Sequence, residues 1–139
     1  RVWTTRLHRP ERPDFQHFFS DSYRVAPNIG MDALWFGRDD WHRDIADRLL
    51  AFFADKDPAE YTAYRINGEP LERKCLHPVG LVAANAVLAL ATEGPNAEKA
   101  LRLFWDTPLR TGERRYYDNC LYFFSLLALS GRYRIWGLD

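Results

Sequence analysis

The sequence predicts an all-α protein with one small β excursion, and two observations carry that reading. Apolar residues recur at steps of three and four across successive segments from Asp40 to Ser130. The one stretch with a different order is 63–71, where Asn67–Gly68 separates two short runs, the strongest local sign of a β-hairpin.

The first helical segment lies within 18–36, which is mostly apolar. Along it Asp21, Arg24, Asn28 and Asp32 follow at steps of three, four and four. On a helix of 3.6 residues per turn those steps fall within roughly an 80° arc. A narrow charged stripe on an otherwise apolar helix predicts a polar cavity, with a self-paired surface stripe as the plainer reading. Pro27 either kinks this helix or starts it, and in the second case Asp21 stands just before it.

A second helix is predicted over 40–53. Trp41, Ile45, Leu49, Phe52 and Phe53 make its apolar stripe, Arg43, Asp44, Asp47 and Arg48 its wet face, and Asp39 and Asp40 its cap. In the hairpin that follows, Pro70 has no N–H to give to a ladder, so its strand must be an edge. The segment 79–91 is apolar but built on Ala83, Ala84, Ala86 and Ala89, which predicts an inner helix packed closely by its neighbours. After a Pro95–Asn96 start signal, Ala97, Leu101, Phe104 and Trp105 make another one-sided stripe. The last segment, 114–130, has two adjacent stripes, Tyr117, Leu121, Phe124 and Ala128 beside Tyr116, Cys120, Phe123 and Leu127. An apolar surface that wide predicts a buried helix, stopped by Gly131.

Composition narrows the function classes. Nineteen Lys and Arg balance nineteen Asp and Glu, so no net field would draw a phosphate backbone or an anionic membrane surface. The longest apolar run, 79–91, is interrupted by Asn85 and falls short of the ~20 residues a membrane helix requires. Neither nucleic acid nor membrane is expected as a partner. Cys75 and Cys120 lie far apart beside apolar residues, without metal-type spacing, and read as two buried free thiols. Aromatic residues make up 15% of the chain, mostly core by expectation, although sugar clefts also use rings as stacking platforms. The opening Arg1–Val2–Trp3–Thr4 carries neither Met nor a leader pattern, and the chain reads as a piece of a longer one.

Chemistry concentrates at Asp21. A carboxylate with Arg24 one turn away is suited to accept a proton from water, as the base of an inverting glycosidase does across a gap of ~6.5–9.5 Å from its acid. The alternative for the same two residues is a structural ion pair.

Three ordered blocks resemble glycoside hydrolase family 8. They are Ser20–Asp21–Ser22–Tyr23–Arg24–Val25 with Asn28–Ile29–Gly30–Met31–Asp32 and Trp35–Phe36; then His77–Pro78–Val79–Gly80–Leu81–Val82–Ala83–Ala84–Asn85; then Phe104–Trp105 with the run from Arg114 to Tyr122 and Ser130 to Trp136. The resemblance implies part of an (α/α)6 barrel, about five of its twelve helices. It also implies hydrolysis of β-1,4 bonds with inversion and no metal or organic cofactor. Residue by residue it makes Asp21 the general base and Arg24 its support, and it places Tyr116 and Tyr117 near the cleft, core packing being the other reading of Tyr117. Asp32 is taken with them as a substrate contact. Leu76–His77–Pro78 resembles the short loop that closes the cleft in the reducing-end xylose-releasing branch, where an imidazole would meet the terminal anomeric hydroxyl. A xylo-oligosaccharide is then the expected ligand and the cytoplasm the expected compartment. An endo-acting xylanase or endoglucanase of the family, or a non-catalytic helical carbohydrate-binding piece, are the alternatives.

The family's general acid is a Glu followed by Gly on an early helix. The one Glu–Gly pair here, Glu93–Gly94, falls in a turn signal before Pro95 and does not match it. Residues 1–139 are accordingly expected to be the C-terminal part of a single catalytic domain whose acid lies upstream.

Overall fold

The computed structural model describes residues 16–137. Five α-helices dominate: α1 Val25–Phe36, α2 Asp40–Phe53, α3 Pro78–Ala86, α4 Pro95–Asp106 and α5 Arg115–Leu129. A 3₁₀ turn, Ser20–Arg24, leads into α1, and a second, Val87–Leu90, continues α3. Strands β1 Thr62–Tyr64 and β2 Pro70–Lys74 form the antiparallel hairpin. The helical class with one hairpin is therefore as the sequence predicts.

Local chemistry places each boundary. Pro27 lies in the first turn of α1, where its missing N–H costs no helical bond, so Asp21 stands on the 3₁₀ turn before the helix. Asp39 caps α2, its carboxylate accepting the His42 amide at 3.0 Å. Pro95 occupies the first turn of α4 behind Gly94, whose φ of 118° suits glycine. Gly131, at φ 69°, closes α5. In the hairpin, Pro70 faces Tyr64, whose N–H and C=O both bond Phe18 on the other side, at 3.1 and 2.8 Å. Pro70 therefore gives up no ladder bond.

The core is built around α3. Its Leu81, Val82, Ala83, Ala84 and Ala86 are buried, and α1, α4 and α5 pack against it, with α2 beside α1 and α4. The closest approach is at Gly30 of α1, where an added Cβ would lie 2.2 Å from the carbonyl oxygen of Val87. A ring cluster of Phe52, Phe53, Tyr61 and Tyr64 joins α2 to the hairpin, with centroids 4.9–5.7 Å apart.

Several expectations need correction. The second stripe of α5 is not buried: Tyr116 and Phe123 are exposed, Cys120 and Leu127 are half-buried, Phe124 of the first stripe is exposed as well, and the buried residues are Asp118, Ser125 and Ala128. The reason is steric, since α3 presents alanine and glycine and only the small side of α5 seats closely against it. Trp41 and Trp105, assigned to apolar stripes, are also exposed. In α2 the deepest line is His42, Ala46, Leu50 and Phe53, one residue round from the predicted stripe, with Ile45, Leu49 and Phe52 half-buried at its flank. Both cysteines are free, as expected, but half-buried. No helix among the described residues is long and apolar enough to cross a membrane.

Candidate functional site

Asp21 and Arg24 sit on the 3₁₀ turn ahead of α1 and form an ion pair of 2.9 Å. Both side chains are more than half exposed, so the pair contributes little to stability and is free to meet a ligand. The Arg24 Nε also donates to the Asp21 carbonyl at 3.3 Å, holding the guanidinium beside the carboxylate. Asn28 and Asp32 continue along the exposed side of α1, so among the described residues the stripe borders open space where a polar cavity was expected.

Asp32 is turned to another task. Asp21 stands before the helix, whereas Asp32 lies eleven positions later, about two turns into α1. Its carboxylate takes His42 Nε2 at 2.9 Å, while His42 Nδ1 meets Asp39 at 2.6 Å. The Asp32 bond chiefly, with Asp39 adding to it, raises the His42 pKa against the opposing effect of burial. The imidazole thereby clamps α1 to the start of α2.

Tyr117 links the Asp21 turn to the Leu76–His77 loop. Its hydroxyl donates to the Ser20 carbonyl at 3.4 Å, and its ring packs on the His77 imidazole with centroids 4.4 Å apart. Burial raises the Tyr117 pKa; Arg24 pulls it down and Asp21 pushes it up, so both charges lie within electrostatic reach of the phenol. Tyr117 is half-buried and serves packing and site together. Tyr116 is 82% exposed and faces away, beside Arg115, Asn119 and Phe123. The structure thus brings together Asp21, Arg24, Tyr117, His77 and Leu76, and places Asp32 and Tyr116 elsewhere.

Two residues of this region escaped sequence reasoning. Asp118 is fully buried, and its Oδ1 accepts the Gly80 amide at 2.7 Å. Gly80 is the third residue of α3, one of the amides a helix start leaves without an internal partner, so Asp118 caps α3 from another helix. Its Oδ2 accepts from Arg110 at 2.6 Å and lies 3.2 Å from His77 Nδ1. The same Arg110 nitrogen donates to the Leu76 carbonyl at 2.6 Å, and Asn119 brackets the Arg110 backbone through two bonds of 2.9 and 3.0 Å. A carboxylate set among aromatic residues at a helix start was the available signal for Asp118. Arg110, in an irregular loop, offered none.

Glu93 lies in the turn before α4 and pairs with Arg38 at 3.2 Å, away from this cluster. No group of three or more His, Cys, Asp or Glu that could hold a metal ion occurs among the described residues.

The carboxylate–guanidinium pair stands on an open rim beside an imidazole and a phenol, on a helical arrangement that solved structures share. The chain superposes with a TM-score of 0.84 on crystal structures of reducing-end-xylose releasing exo-oligoxylanase, one of them a mutant complexed with xylobiose, at 60% identity. The match covers 86% of this chain and 32% of those. Among curated proteins, the chain is 59% identical over 123 residues to the reducing end xylose-releasing exo-oligoxylanase of Halalkalibacterium halodurans. It is 54% identical over 123 residues to Rex8A of Paenibacillus barcinonensis, described by the same activity. Each match takes in 88% of this chain and 32% of the relative, so the chain spans about a third of their length. No family model matches. Over that third the chain is similar to these exo-oligoxylanases in sequence and in fold.

Proposed function

We propose that this chain carries the general base and the leaving-group wall of an inverting glycosidase that releases xylose from the reducing end of xylo-oligosaccharides. The observation that carries the reading is Tyr117, which joins the Asp21–Arg24 pair to the Leu76–His77 loop in one rim. In this reading Asp21 takes a proton from the attacking water, Arg24 holds the carboxylate in place, and a carboxylic acid on another part of the protein protonates the leaving oxygen. His77 and Leu76 bound the site beyond one sugar unit. The similarity to enzymes named for this activity supports the substrate class.

The test is Asp21→Asn in the full-length protein. Removing a general base is expected to lower kcat by 10²-fold or more while xylotriose binding, read by calorimetry, stays within a few-fold. Proton NMR of the wild-type reaction should show the first-formed anomer at the cleaved bond inverted. Retention of configuration, or an Asp21→Asn variant of near wild-type rate, would remove the assignment. The 139-residue segment alone should hydrolyse no xylotriose, since one carboxylate cannot serve as both acid and base of the same displacement. Binding without turnover in the full-length protein would instead establish a carbohydrate-binding module.

A further inference from the structure

We propose that Asp118, supported by Arg110, is a positioning residue that fixes the tautomer of His77 and so decides what this loop offers a ligand. The carboxylate has acceptors only, and its Oδ2 lies 3.2 Å from His77 Nδ1, so in the neutral ring the proton sits on Nδ1. Nε2 then carries the lone pair, and it makes no hydrogen bond among the described residues. The loop is held from the other side as well. Arg110 binds Asp118 Oδ2 and the Leu76 carbonyl from one nitrogen, tying backbone and imidazole to the same buried carboxylate. Tyr117 covers one face of the ring, leaving the imidazole 12% exposed.

This deepens the function proposed above and rests on it for the identity of the ligand. A free reducing end ends in an anomeric hydroxyl, the most acidic and best hydrogen-bond donor of the sugar. An Nε2 lone pair accepts from it. A sugar whose anomeric oxygen is methylated has no proton to give, so the tautomer makes the loop selective for free reducing ends over blocked ones.

Gly80 makes the substitution Asp118→Asn informative. The Gly80 amide requires an acceptor, so the asparagine carbonyl turns to it and the NH₂ group turns to His77 and Arg110. A donor facing Nδ1 moves the ring proton to Nε2. The tautomer is read in the full-length protein by long-range ¹H–¹⁵N correlation of ¹⁵N-histidine at alkaline pH, His77 being assigned by its loss in His77→Ala. Wild type should show Nδ1 protonated and Nε2 bare, and Asp118→Asn the reverse. The ratio of kcat/KM for xylotriose to that for its methyl glycoside should fall about tenfold in Asp118→Asn, the worth of one hydrogen bond.

A wild-type His77 protonated on Nε2, or on both nitrogens, overturns the proposal without any variant having to fold. A tautomer unchanged in a folded Asp118→Asn overturns it too. If the tautomer reverses but neither sugar is hydrolysed by wild type, the positioning role stands and the function reading falls.

Discussion

Replacing Gly30 by alanine would set a Cβ 2.2 Å from the Val87 carbonyl oxygen and 2.9 Å from its carbonyl carbon, where folded proteins tolerate no approach below 3.0 Å. Two effects oppose each other. Alanine gains about 1 kcal/mol over glycine inside a helix. Against that, the obstacle is backbone on both sides, so α1 must withdraw from the 3₁₀ turn after α3 and loosen the packing along their whole contact. Overpacking of a close core costs about 1–3 kcal/mol and here belongs at or above the upper end. The expected net loss is about 2 kcal/mol, read as a lowered urea midpoint by far-ultraviolet circular dichroism. Gly80→Ala is the internal comparison. There the new methyl meets the movable end of Leu121 at 2.9 Å and Asp118 Oδ1 at 3.3 Å, and the loss should stay below about 1 kcal/mol. A Gly30→Ala variant as stable as wild type, or a costlier Gly80→Ala, would refute the claim that backbone contact sets the α1–α3 spacing.

The remaining predictions concern buried polar groups. Because Asp32 and Asp39 raise the His42 pKa above 6.5, the stabilisation from this group is complete below pH 6.5 and is lost as pH rises through the raised value. His42→Gln should therefore cost more at about pH 5.5 than at about pH 8 in urea titrations, and an equal cost at both would remove the clamp. Asp39 has a lowered pKa, chiefly from the His42 amide, so its contribution is present above pH 3.8 and lost as pH falls below it. Asn85 is 4% exposed, finds no hydrogen-bond partner for either amide atom among the described residues, and borders a cavity of about 30 Å³ between Leu50, Phe53 and Leu103. Asn85→Leu should raise stability by about 1–2 kcal/mol, since an unsatisfied buried amide costs that order, and a loss of stability would show the amide to be satisfied.

How much of this was legible varies by residue. Helix positions and the Asn67–Gly68 turn follow from spacing and turn chemistry, which act within a few residues. The Asp21–Arg24 pair is likewise local, one turn apart. What failed was the choice of buried face. Aromatic stripes on α5 outweigh Asp118 and Ser125 on any hydrophobicity scale, yet beside the small residues of α3 it is these two, with Ala128 of the first stripe, that are buried. That decision belongs to a partner more than thirty residues away, and so does the pairing of Asp118 with Gly80 and Arg110 with Leu76. Asp32 shows the converse: its place on the stripe was right, but His42, unseen as a partner, had claimed it.

Tyr117, Asp118 and Asn119 are consecutive, and each grips a different piece of the rim: the Ser20 turn, the His77 loop and the Arg110 loop. One helical turn therefore works as a jig. If the start of α5 shifts, all three loops ride with it and keep their mutual spacing, so thermal drift of the helix is common-mode for the site. Diversification is constrained for the same reason: a longer 76–77 loop must still deliver its carbonyl to Arg110 and leave Gly80 within reach of Asp118, so new specificities should arise by exchanging the tip of the loop before its anchors.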